Sequence, residues 1–231
     1  MKKLSNRRKK IVANLKSEPV SFTEAIKLVK ETATAKFVES IEAHVTLAID
    51  PKYNDQQLRT TLVLPEGSGK TKKLAVLVSE DQLSNDYSDL AHRVGSEDLV
   101  ESISAGETDF DVLITTPDMM PKLAKLGKVL GPKGLMPSPK AGTVTTNILE
   151  TLTEFKKGKL EYRADKTGIV HIGFGRADFS TEALENNLLS VYNSIEQNKP
   201  SGVKGRYFKS FYICSTMGPS IQVDLTSFKV N

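Results

Sequence analysis

The hydrophobic positions of this chain change their period twice along its length. Over residues 40–49, Ile41, Ala43, Val45, Leu47 and Ile49 alternate with Ser40, Glu42, His44, Thr46 and Ala48. Successive side chains of a strand point to opposite faces, so the alternation predicts a strand with one face in a core and the other polar. The same one-sided texture returns late in the chain. In residues 168–174, Val170, Ile172 and Phe174 share one face while Ile169, His171 and Gly173 share the other. Two closing runs, 206–214 and 220–225, are rich in β-branched and aromatic residues, and Ser210 and Tyr212 have the parity of Thr216. The middle reads differently: residues 74–78 (LAVLV) and 110–114 (FDVLI) are continuous apolar runs, the pattern of strands buried on both faces of a parallel sheet.

Helix signals fill the spaces between. Ser21 with Glu24 forms a capping box ahead of the stripe Phe22, Ala25, Ile26 and Val29, each side chain serving an otherwise orphan backbone N–H. A second strand is expected over 60–64, and helices over 86–94, 96–103 and 117–126. A longer helix opens at Phe179-Ser180, with Leu184, Leu188, Val191, Tyr192 and Ile195 as its stripe. Residues 65–69 (PEGSG) read as a hinge, and 127–144, stiffened by Pro132, Pro137 and Pro139, as a long loop of fixed shape. The turn 215–219 (STMGP) stops either flanking strand from continuing, because proline lacks an N–H and glycine tolerates angles that other residues avoid.

One-sided strands with covering helices at both ends of the chain, and strand–helix alternation between them, predict an α+β and α/β architecture. A discontinuous outer domain, 1–66 plus 158–231, is interrupted by an inserted domain over 67–157, and 231 residues suit two such domains. Charge sharpens this division. Lys plus Arg against Asp plus Glu is 12 to 8 over residues 1–66, 11 to 13 over 67–157 and 9 to 7 over 158–231. The ends are net positive and the middle net negative, as expected if the ends share a surface that faces a polyanion. The arm 1–16 carries seven basic residues and no acid, suiting either a solvated tail or phosphate contacts. No apolar run approaches the ~20 residues of a membrane span, and no signal or transit peptide is expected from the first residues.

Candidate chemistry is sparse. Cys214 is a lone cysteine, expected to be a small buried hydrophobe in its strand. The histidines His44, His92 and His171 have no partner at metal-ligand spacing and read as polar-face residues. Gly67-Ser68-Gly69-Lys70-Thr71 ends like a phosphate-binding loop, but position 64 is Leu and a strand, not a helix, follows, which argues against a nucleotide-dependent enzyme. Lys204-Gly205-Arg206-Tyr207-Phe208 starts like the aromatic strand of an RNA-recognition sheet, yet Arg206 stands where a stacking aromatic is needed. What remains is a polar sheet surface. Glu42 on it repels phosphate but accepts from a 2′-hydroxyl or a base amine, a contact for specificity and not for affinity.

With these residues in place, the sequence resembles the large-subunit ribosomal protein L-one family, of the bacterial and plastid type. The resemblance is carried by 33–42 (ATAKFVESIE), 127–145 (GKVLGPKGLMPSPKAGTVT), 163–171 (RADKTGIVH) and 204–219 (KGRYFKSFYICSTMGP), in order over nearly the whole chain. It implies a split β-α-β outer domain made from both termini, with an inserted Rossmann-like three-layer α/β domain. It implies a structural constituent of the large ribosomal subunit, not an enzyme. Such a protein binds large-subunit ribosomal RNA, forms the mobile stalk next to the tRNA exit site, assists release of deacylated tRNA, and can repress translation from its own messenger RNA. The partners implied are ribosomal RNA, exit-site tRNA and its own mRNA, for a monomer within the ribosome, with no cofactor, metal or membrane. By motif, the RNA-contacting positions are Lys36, Phe37, Ser40, Glu42, Lys166, His171, Ser210, Thr216, Met217 and Gly218. The sequence departs from the family at 55–60 (DQQLRT), where bacterial relatives commonly read Asp-Gln-Asn-Val-Arg-Gly, and at 81–91, which lacks the usual alanine-rich helix. These departures, with an Asn- and Lys-leaning composition, point to a plastid (chloroplast stroma) version, bacterial cytoplasm being the alternative.

Overall fold

A computed structural model describes residues 18–82 and 85–229, so the basic arm over 1–16 lies outside the described residues. In chain order the elements are α1 (Phe22–Thr32), β1 (Ser40–Leu47), β2 (Arg59–Val63), β3 (Leu74–Leu77), α2 (Asn85–Leu90), β4 (Arg93–Gly95), α3 (Glu97–Ser104), β5 (Val112–Thr115), α4 (Met120–Ala124), α5 (Gly127–Lys133), α6 (Ile148–Lys157), β6 (Lys159–Arg163), β7 (Ile169–Arg176), α7 (Thr181–Gln197), β8 (Phe208–Ser215) and β9 (Ser220–Val223), with short 3-10 turns between some of them. The fold is mixed α and β. The described residues form two compact units, divided after Gly69 and again after Leu160: the first takes the described residues up to 69 and from 161 onward, the second those between.

The first unit is built on an antiparallel sheet of order β7-β1-β8-β9. The alternation in β1 becomes burial that alternates without a break: Ile41, Ala43, Val45 and Leu47 are buried while Ser40, Glu42, His44 and Thr46 are not. Val170, Ile172 and Phe174 of β7 and Phe211 and Ile213 of β8 join the buried face. The helices α1 and α7 cover it, contributing Ala25, Ile26 and Val29 and Leu184, Leu188, Val191 and Ile195, all buried. Each large side chain so enclosed contributes roughly 1.5–3 kcal/mol, so this one layer dominates the stability of the unit.

Local signals set where the covering helices begin. Ser21 accepts a hydrogen bond from the Glu24 N–H and Ser180 one from the Ala183 N–H, each satisfying a first-turn donor. Past β9, the 3-10 turn Leu225–Lys229 inserts Phe228 between Phe22 and Tyr192, with ring centroids 5.4 and 4.5 Å away. Asn187, on the buried side of α7, donates to the carbonyls of Phe174 and Gly67 at 2.8 and 3.0 Å and accepts from the Glu66 N–H at 3.1 Å.

The second unit holds a parallel sheet of order β4-β3-β5. Ala75 and Leu77 of β3 face one cluster with Leu99, Ile103, Leu113 and Leu123, while Leu74 and Val76 face a second with Ile114, Ile148, Leu152 and Phe155. Two clusters, one on each side, explain the uninterrupted apolar runs.

Two expectations change here. Residues 93–95 are a strand paired in parallel with β3, not the end of a helix over 86–94, because α2 stops at Leu90. Three residues are too few to show a period. Residues 127–133 form α5 where a loop was expected. Glycine and proline are poor helix formers, but Leu130 is fully buried and the N–H groups of Val129 and Leu130 bond to the Leu126 carbonyl at 2.9 and 3.0 Å, so packing overrides propensity. The helix ends on Gly134 in the left-handed region, φ 71°, where a side chain would be strained.

Candidate nucleic-acid interface

The face of the four-stranded sheet opposite α1 and α7 is a ladder of polar positions, and strand register fixes who stands beside whom. Glu42 lies between Gly173 and Cys214, His44 between His171 and Tyr212, and Thr46 between Ile169 and Ser210, while Tyr212 and Cys214 continue to Gln222 and Ser220. From Ser40 to Thr46 the row is about 20 Å long at the usual rise per strand residue.

At the Ser40 end, two chain segments far apart in sequence close on each other. The Thr216 N–H donates to the Ser40 carbonyl at 3.0 Å, the Ser40 N–H donates to Thr216 Oγ1 at 3.0 Å, and Thr216 Oγ1 donates to the Ser40 carbonyl at 3.2 Å. Thr216 thus extends the β1–β8 ladder by one more rung, using its hydroxyl where a backbone partner ends. The turn continues with the Gly218 N–H bonded to the Ser215 carbonyl at 3.1 Å. A Cβ on Gly218 would overlap Ser215 Oγ as that hydroxyl is placed, so a larger residue there requires the Ser215 side chain to turn away. Met217 and, on the facing loop, Phe37 are each 56% exposed, with Val38 exposed beside them. Large apolar side chains left in water next to polar rungs are suited to stacking and packing against an incoming ligand.

At the middle of the face the two imidazoles meet edge to face, His44 Nδ1 lying 2.8 Å from His171 Nδ1. One ring nitrogen must donate and the other accept, so the pair is joined through a single proton. His44 Nε2 is 3.2 Å from Cys214 Sγ and 4.0 Å from Glu42, and His171 Nε2 is 3.7 Å from Asp165. Burial first, and then the neighbouring His171, lower the His44 pKa, against a weaker opposing pull from Glu42. Burial and then Glu42 raise that of the Cys214 thiol. Cys214 is half-buried on this face and not a core hydrophobe as its strand position alone suggested, since it shares the parity of Tyr212 and Ser210.

The Leu47 end of the face carries the turn between β6 and β7. There Asp165 accepts from the N–H groups of Ile169 and Thr167 and from the Thr167 hydroxyl, at 2.7–2.9 Å. The Ile169 N–H chiefly, helped by Thr167, holds the Asp165 carboxyl at about 2. An open hollow of about 630 Å³ is lined here by Arg163, Asp165, Lys166 and His171 among others.

The ten residues singled out in the sequence all fall in the first unit. The structure gathers Lys36, Phe37, Ser40, Thr216, Met217 and Gly218 at one end of the open face, sets Glu42 and His171 along its middle, and leaves Lys166 and Ser210 at the far end. Sequence reasoning passed over Glu39, which is 1% exposed and bonds both end segments. Nothing in a run of mixed polarity before a strand marks one glutamate as buried. Among the described residues no group of three or more His, Cys, Asp or Glu side chains is placed to hold a metal ion. The face therefore offers hydroxyls, imidazoles, the partly exposed carboxylates of Glu42 and Asp165 and bare backbone, with lysines at both ends. That set matches sugar hydroxyls, base edges and phosphates.

Comparison with known proteins gives a consistent picture. The model of the ribosomal protein L1p/L10e family matches residues 29–219. The chain is 61% identical over 229 residues to the large ribosomal subunit protein uL1c of Rhodomonas salina, covering 99% of this chain and 98% of that one. It is 60% identical to uL1c of Trieres chinensis, covering 99% and 100%. With the large ribosomal subunit protein uL1 of Synechococcus sp. (strain CC9311) the identity is 58%, over 97% and 96%.

Proposed function

The chain belongs to the ribosomal protein L1p/L10e family, and from that premise we propose that it is a structural constituent of the large ribosomal subunit that binds large-subunit ribosomal RNA through the open sheet face. Family membership makes it a non-enzymatic protein. The observation that most supports the location of the site is the closure of Thr216 on Ser40, two residues 176 positions apart in sequence. It sets exposed Phe37 and Met217 at the end of a polar row in the part of the chain with the higher share of basic residues. Residues 1–66 and 158–231 form the RNA-binding domain in this reading, with 67–157 as an insertion.

The ten positions take different parts. Lys36 and Lys166 neutralise phosphate, while Phe37 and Met217 pack on sugar or base. Ser40, Glu42, His171, Ser210 and Thr216 exchange hydrogen bonds with hydroxyls and base edges, and Gly218 brings backbone close. The finer roles follow the family resemblance: a mobile stalk beside the tRNA exit site, release of deacylated tRNA and repression of its own messenger RNA. For the compartment we favour a plastid ribosome over a bacterial one, on the departures at 55–60 and 81–91 together with the composition.

Sedimentation of the full chain with deproteinised large-subunit RNA at low and high salt tests the core of this reading. Co-sedimentation is expected at both, with Thr216→Val weakening binding by about 1–3 kcal/mol, the scale of one specific contact, and leaving the salt slope unchanged. A chain that stays in the supernatant at low salt would overturn it.

A further inference from the structure

We infer that Glu39 is a positioning residue of the RNA site, its buried carboxylate holding the two exposed segments at the Ser40 end in one fixed relation. The inference rests on the RNA-binding function proposed above and adds a residue that does not itself touch RNA.

The geometry is a fork. Glu39 Oε1 accepts from the Ala35 N–H at 2.8 Å, and Oε2 accepts from the Met217 N–H at 2.9 Å. Its carbonyl accepts from the Ala177 N–H at 2.9 Å, and the next residue, Ser40, carries the rungs to Thr216. One side chain therefore ties the segment bearing Lys36 and Phe37 to the turn bearing Thr216 and Met217, from a backbone already fixed on both sides. A carboxylate suits this place because it offers two acceptors on one rigid plane. An amide of the same size has one acceptor and would turn its NH₂ toward the other N–H.

Burial separates the role of Glu39 from that of Glu42. The Glu42 side chain is 45% exposed and stands where a ligand can reach it, whereas Glu39 is 1% exposed. A buried carboxylate is costly unless its oxygens are satisfied, and bonds from N–H to an ionised acceptor are among the stronger ones. Being enclosed, it does not oppose phosphate directly, and its charge goes into fixing two backbone amides. Both segments carry side chains that are exposed in the free protein and would otherwise have to be ordered when RNA binds. Holding them beforehand removes that cost from binding.

The test uses the full chain and deproteinised large-subunit RNA as probe, comparing wild type, Glu39→Gln, Met217→Ala and the double variant, with amide hydrogen exchange read in each free protein. Glu39→Gln is expected to weaken binding about tenfold, the scale of one lost hydrogen bond to a charged group, with the salt slope unchanged. Exchange should quicken at Ala35 or Met217 while Ala43 and Val45 in β1 stay protected, which separates loss of positioning from loss of fold. Because Glu39 acts through the segment bearing Met217, the double variant should bind more tightly than the sum of the two single losses predicts. Equal binding by Glu39→Gln and wild type, or strictly additive losses, would overturn this inference alone. Failure of the wild type to bind would overturn the RNA reading and this inference with it.

Discussion

His44 sits where four ionisable neighbours meet: Glu42 beside it on β1, Cys214 on β8, His171 on β7 and, behind His171, Asp165. Its lowered pKa means that the folded chain holds it neutral at a pH where the unfolded chain has taken up a proton. The sign follows directly. The contribution of His44 to stability is complete above its ordinary value near 6.5 and is lost as pH falls through that value toward the folded one. Asp165, held at about 2, acts in a separate window, its contribution being lost only as pH falls from 3.8 toward 2. Urea unfolding midpoints should therefore decline between pH 7.5 and 5, and His44→Asn should flatten that decline while leaving any change below pH 4 intact. At this scale the sequence was partly readable. Parity placed His44, His171 and Tyr212 each on one side of its own strand, but their meeting on one face and the contact between the two imidazoles depend on which strands are neighbours, and alternation within one strand carries no information about that.

Among the elements, α7 shows how a hydrophobic stripe conceals a polar member. Asn187 stands three residues after Leu184 and four before Val191, on the buried stripe by spacing, yet reading for apolar residues alone passes over it. Its amide spans β7 and the chain at Glu66-Gly67 with three hydrogen bonds. Asn187→Leu is expected to cost about 2–4 kcal/mol, since the buried Phe174 carbonyl and its companions lose their partner, and thermal unfolding would measure it. The caps at Ser21 and Ser180 were legible because they obey a local rule of three residues. The helix α5 was not, because the burial of Leu130 that holds it comes from residues distant in sequence. Glu39 was hidden for a related reason, as the Ala35 and Met217 N–H groups that it accepts from lie in loops, where no period speaks.

For the whole molecule, the texture of the strands carried most of what could be read: one-sided alternation where one face of a sheet is covered, continuous apolar runs where both are. If residues 1–66 and 158–231 contain the site, a chain joining them directly binds large-subunit RNA nearly as well as the full chain, and a filter-binding comparison of the two measures this. Loss of binding would assign part of the site to residues 67–157. The sheet order has a further bearing on how the protein is made. β1 emerges early in synthesis, but both of its neighbours, β7 and β8, come from the last third of the chain, and its closing rung waits for Thr216. Pairings of such long sequence separation form slowly and leave strand edges bare in the meantime. A product of interrupted translation that stops short of residue 208 lacks β8 and β9, so β1 keeps one edge unpaired and the face stays incomplete until the last strands are made.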